Sequence, residues 1–155
     1  MIKRCYSSKV QQKRQTYIGC SVCEEWKYFS NFKQWYDTNY KEGFDLDKDI
    51  LVEGNKIYSP DTCCFVPHYL NSVLLDCGKA RGDLPLGVTR NRNTYRAHCN
   101  DGNGNRQFKY VKSLEEAVTW YSITKKRVVF EQVQRALDEG AIDQRIADAL
   151  IARKF

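Results

Sequence analysis

The pair Cys20-Ser21-Val22-Cys23 has the spacing of half a zinc site, with Cys63, Cys64 or Cys77 as candidates to complete it. No second C-x-x-C exists, and adjacent Cys63 and Cys64 would point to opposite faces of a strand. A structural zinc needs four ligands. Zinc is therefore not expected, and most of the seven cysteines read as small buried hydrophobes kept reduced. His68 offers different chemistry. It stands three residues before Asn71, about one helical turn away on the same face. An imidazole there can act as a base or be an ordinary surface side chain. A third group is cationic: in Thr94–Cys99, period-two alternation puts Thr94, Arg96 and His98 on one face and Tyr95, Ala97 and Cys99 on the other.

These groups need elements to position them. Trp26, Phe29, Phe32 and Trp35 recur every three residues, which predicts a helix over 23–35 with an aromatic core face. The segment Gly43–Leu51 alternates in character, a Gly54-Asn55 turn follows, and Thr62–Val66 reads as a second strand. Pro67 fits the first turn of a helix carrying His68, Asn71 and Leu74. Beyond an expected boundary at Cys77–Pro85, Leu86–Val88, Tyr95–Cys99 and Arg106–Val111 read as three strands, the last two joined by the turn-rich Asn100–Asn105. Ser113-Leu114-Glu115-Glu116 matches a capping box for a helix burying Leu114, Ala117, Val118 and Tyr121. A last helix after Gly140 has Asp143 as its N-cap and Ile146, Ala147 and Leu150 on one face. The expected fold is α+β in three parts: 1–77, a sheet-plus-helix module at 84–130, and a helical tail at 131–155 of unassigned role.

The chain has 155 residues and net charge +6. Residues 1–77 carry 10 Lys/Arg against 10 Asp/Glu, whereas residues 78–155 carry 15 against 9, so all the excess positive charge lies in the second half. That asymmetry suits a polyanion partner for that half, or a solubilising surface. An aromatic share of 13% argues against disorder. No run approaches the roughly 18 apolar residues of a membrane span, and no apolar stretch follows Met1–Cys5 as in a signal peptide. A cytoplasmic protein without a membrane partner is expected.

Leu46-Asp47-Lys48-Asp49-Ile50, Asn55–Cys63 and Asn71 together resemble the ββα-metal site of HNH nucleases, specifically the phage homing-endonuclease branch. Members of that branch often join the site to a DNA-binding domain of the plant ethylene-response-factor type. The resemblance extends through Arg4–Ser7, Val22–Trp26 and Phe29–Phe32 into Leu84–Val88, Tyr95–Ala97 and Glu115–Ala117. It implies a metal-dependent endonuclease that nicks or cleaves double-stranded DNA. One Mg²⁺ or Mn²⁺ would be held by Asp47 and Asn71, since such ions keep several waters and need few protein ligands.

The same resemblance assigns the remaining roles. Lys48 stands where most of the family has the base histidine, and Thr62 where many have the asparagine that orients it. An ammonium is a poor base at neutral pH unless burial lowers its pKa; Lys48 can instead contact the scissile phosphate, and His68, by its spacing from Asn71 and not by the resemblance, is a candidate replacement base. Asp49 is expected off the site face, in a supporting place. In the second module Arg90, Arg92, Arg96, Arg106 and Lys109 are the candidates for phosphate and base contacts. Two alternatives stay open: a decayed site that binds DNA without cutting it, and a scaffold that binds a host protein.

Overall fold

Trp26 organises the N-terminal half. The computed structural model describes residues 1–74 and 83–155, so most of the expected boundary at Cys77–Pro85 lies outside the described residues. Helices α1 (Ile2–Tyr6) and α2 (Ser8–Lys13) lead to the short strand β1 (Ser21–Val22). The single helix expected over 23–35 is divided: a 3₁₀ turn at Glu25–Lys27 is followed by extended Tyr28 and then by α3 (Phe29–Asn39). The break seats Trp26, 2% exposed, beneath α3. Its ring centroid lies 5.2 Å from Phe32 and 4.7 Å from Trp35. Phe29, the fourth aromatic of the pattern, is 73% exposed and outside this core.

The strand β2 (Phe44–Asp47) pairs antiparallel with β4 (Cys64–Pro67), Phe44 opposite Pro67 and Asp47 opposite Cys64. Between them β3 (Ile57–Tyr58) pairs parallel with β1. β2 ends where it does because Asp47 Oδ1 accepts the amides of Asp49 (2.8 Å) and Ile50 (2.9 Å), a side-chain-closed turn that carries the backbone out of the strand. Pro67 closes β4, and α4 (His68–Leu74) starts directly after it. Cys63 packs with Cys5, Cys20 and Trp26, while Cys64 enters a different cluster, as neighbours on a strand must.

The second half is a three-stranded antiparallel sheet in the order β5 (Val88–Asn91), β6 (Thr94–Asn100), β7 (Arg106–Val111). A long helix, α5 (Leu114–Asp138), crosses it, and α6 (Gln144–Ile151) packs on α5. Ser113 Oγ accepts the Glu116 amide at 3.1 Å, so the first half of the expected capping box forms. Asp143 Oδ1 accepts the Ile146 amide at 2.9 Å and caps α6. Gly87, with φ of 71°, has no room for a side chain, because a Cβ there would overlap the Tyr121 ring.

The largest apolar cluster draws on both sides of the expected boundary. Ile50, Cys64, Val66, Leu70 and Val73 meet Val128, Val129 and Val133 of α5, together with Ile146 and Leu150 of α6. Lys125 on α5 is 4% exposed, and its ammonium donates to the Val73 carbonyl. The chain is thus α+β. Among the described residues no helix is long and apolar enough to cross a membrane.

Candidate functional site

Strand β2 and helix α4 bring Asp45, His68 and Asn71 into contact, and Asn71 in turn lines a pocket with Asp47 that Asp45 and His68 do not line. Asp45 and Asp47 are two residues apart and so share one face of β2. Asp45 Oδ2 accepts from His68 Nδ1 at 2.7 Å and from Asn71 Nδ2 at 3.0 Å. The one-turn spacing of His68 and Asn71 therefore converges both on one carboxylate. Burial alone would raise the pKa of Asp45, but the Asn71 and His68 hydrogen bonds outweigh it and hold the carboxyl below its usual range. A carboxylate at Nδ1 selects the tautomer that donates from there and leaves Nε2 as the acceptor. His68 is 77% exposed, so that face is open to water.

Asp47, Lys48, Asp49 and Asn71 line a pocket of about 520 Å³. Four further cations line it as well: Arg4, Arg14, Lys56 and Arg153. Asp49 lines the pocket too, contrary to the expectation that it lies off the site face: standing two residues from Asp47, it has the parity of Asp47 by strand alternation as well, although β2 itself stops at Asp47. Burial, a hydrogen bond shared with Asp49, and the Asp49 charge push Asp47 up to about 6. Burial would raise Asp49 too, but the Asp47 hydrogen bond and the nearby Lys48 charge lower it.

Lys48 is 7% exposed. Its ammonium donates to the Asn55 carbonyl at 2.7 Å and pairs with Asp49 at 3.3 Å. Asn55 answers by donating to the carbonyls of Lys48 (2.6 Å) and Ile57 (2.7 Å), which locks the 48–57 loop. Thr62 does not join this cluster. Its hydroxyl bonds the Ile57 carbonyl at 2.9 Å and Ser59 Oγ at 2.8 Å, bracing the connection into β4.

Among the described residues no group of three or more His, Cys, Asp and Glu side chains is disposed to hold a metal ion. An oxygen site that includes an amide is a different matter. Asn71 commits its Nδ2 to Asp45 and so can offer only its carbonyl oxygen, while Asp47 Oδ1 accepts the Asp49 and Ile50 amides. Oxygen donors of this kind suit Mg²⁺ or Mn²⁺.

On the three-stranded sheet the register sorts the cationic candidates. Arg96 opposes Thr89 and Tyr110, and Arg106 opposes Asn100, so both lie on the outer face, away from α5. Arg92 occupies the β5–β6 turn with φ of 51°. Arg90 and Lys109 do not share that face: Arg90 opposes Tyr95 and Lys109 opposes Ala97, the residues that face α5. Arg90 stacks at 5.5 Å on the Tyr95 ring and donates to its hydroxyl at 3.1 Å. The outer face also carries Phe108 and Tyr110, 59% and 54% exposed. Sequence reasoning missed these, as it missed Asp45. The signal in both cases was the period-two pattern, which assigns faces in Arg106–Val111 and Phe44–Asp47 as it does in Thr94–Cys99. Between the outer arginines, burial and the Arg96 and Arg106 charges lower the pKa of His98.

No family model matches the chain, and neither a curated protein nor a solved structure matches it.

Proposed function

We propose that this chain is a metal-dependent endonuclease of the HNH type, acting on double-stranded DNA that the outer face of its three-stranded sheet helps to hold. The observation that carries the reading is the β2–β4–α4 unit, which gathers Asp47 and Asn71 on one pocket rimmed by cations. Asp47 and Asn71 would hold one Mg²⁺ or Mn²⁺. When bound, such an ion supplies electrostatic stabilisation of the charge that develops on the phosphate and the leaving oxygen.

The protein's own groups supply the rest. His68, oriented by Asp45, accepts a proton at Nε2 from the attacking water. Lys56, Arg4 and Arg14 neutralise the backbone phosphates that enter the pocket. Lys48 acts through its loop: its hydrogen bonds with Asn55 and Asp49 hold the two aspartates in place. On the sheet, Arg96 and Arg106 meet phosphates or base edges, and Phe108 and Tyr110 add apolar contact.

A second reading, duplex binding without cleavage, draws support from the same Lys48 and Thr62, whose polar atoms are engaged in the loops where the resembled family carries histidine and asparagine. Supercoiled plasmid incubated with Mg²⁺, Mn²⁺ or EDTA separates the two. Nicking in either metal and not in EDTA is expected; salt-sensitive binding with no cleavage on plasmids of varied sequence would establish the second reading instead.

A further inference from the structure

The residues after α6 return to the candidate site. Ile146, Ala147 and Leu150 anchor α6 in the main core. Past the helix, Phe155 packs against the same core, with the Lys125 ammonium 5.7 Å from its ring centroid. Between these anchors stands Arg153, whose amide donates to the Leu150 carbonyl at 3.4 Å. Its Nη2 donates to the backbone carbonyl of Asp49, two residues past Asp47. Its Nε is buried and has no acceptor.

We propose that Arg153 is a phosphate-holding residue of the candidate site, so that the C-terminal segment is a working part of the DNA-binding pocket. The inference rests on the endonuclease reading for the identity of the ligand. Three observations converge on it. The pocket that Arg153 lines is rimmed by five cationic side chains against two carboxylates, an imbalance that favours an anion. The guanidinium is held at both ends of its chain segment and by Asp49, so little entropy is lost when it binds. An unpartnered buried N–H of a charged group is costly, and the negative charge of a phosphate held in the pocket beside this guanidinium offsets part of that cost. The cations come from distant stretches of sequence: Arg4 and Arg14 from the N-terminus, Lys48 and Lys56 from the β2–β3 loop, Arg153 from the C-terminus.

Binding to a short labelled duplex, followed by fluorescence anisotropy in EDTA across a salt series, tests this without cleavage. Each phosphate contact contributes about 0.9 to the slope of log K against log salt. Arg153→Gln is expected to lower the slope by about that amount, and Arg153→Lys, which keeps the charge, to retain it. Thermal unfolding checks that both variants fold. Where Arg153→Gln does not, the Nε–H resonance of Arg153 in the wild type decides, and it is expected to shift when duplex is added. An unchanged slope in the folded glutamine variant, or an unmoved resonance, overturns the role of Arg153 while leaving duplex binding intact. A wild type without salt-dependent binding overturns the proposed function itself and this inference with it.

Discussion

Asp45 shows how much one carboxylate organises. It orients His68 through Nδ1 and Asn71 through Nδ2, so both the proposed base and a proposed metal ligand depend on it. Partners that orient ligands of a metal site typically matter by about 10–100-fold. Asp45→Asn should therefore lower the cleavage rate by about that factor in a single-turnover assay, with little change in duplex binding. Asp47 gives a prediction about stability. Its pKa of about 6 in the folded chain exceeds the roughly 3.9 of an unfolded aspartate. Between those values the folded state binds more protons, so this residue's contribution to stability falls as pH rises through the window, and the cost persists at neutral pH. Asp47→Asn keeps an oxygen for the Asp49 and Ile50 amides and carries no charge. In EDTA it should melt a few degrees above the wild type at pH 7–8, with the difference closing towards pH 4, as read by thermal unfolding across that range. The residue types at 47, 48, 49, 68 and 71 were legible in the sequence. What Lys48 and Thr62 do was not, because hydrogen bonds to the carbonyls of Asn55 and Ile57 depend on a loop path that no side-chain pattern encodes.

At the scale of elements, register decides which cations can act together. Arg96 and Arg106 share the outer face with Phe108 and Tyr110, whereas Arg90 and Lys109 belong to the face turned towards α5. Anisotropy titrations should separate them: Arg96→Ala and Arg106→Ala weaken duplex binding and lower its salt slope, while Lys109→Ala leaves both near wild type. Equal losses for all three would remove the sheet's outer face from the account. The strands and the Ser113 and Asp143 caps were readable, since alternation and cap chemistry are local. The break at Tyr28 was not, because three-residue aromatic spacing persists through a 3₁₀ turn as well as through a helix. Nor was the parallel pairing of β1 with β3, which joins residues some 36 positions apart (Ser21 to Ile57) and leaves no local trace.

For the molecule as a whole, the β2–β4–α4 unit does not carry its core alone. Val66, Leu70 and Val73 are buried against Val129, Val133 and Leu150 from the other end of the chain. The sequence left the role of the tail unassigned; in the structure its residues complete the core beneath α4, and Arg153 reaches the pocket. Leu150 is fully buried, and truncating such a leucine costs about 2–5 kcal/mol. Leu150→Ala should therefore lower the melting temperature in one cooperative transition, and the proposed site should lose activity with the fold rather than before it. The central claim concerns Asp47, Asn71 and His68 acting on DNA, and the direct measurement is nicking of supercoiled plasmid by the wild type beside Asp47→Ala, Asn71→Ala and His68→Ala, each in Mn²⁺, Mg²⁺ and EDTA. The account predicts metal-dependent nicking that is lost in the first two variants and reduced by roughly 10²–10⁴-fold in the third. Nicking that persists in EDTA, or that survives unchanged in Asp47→Ala and Asn71→Ala, would contradict it.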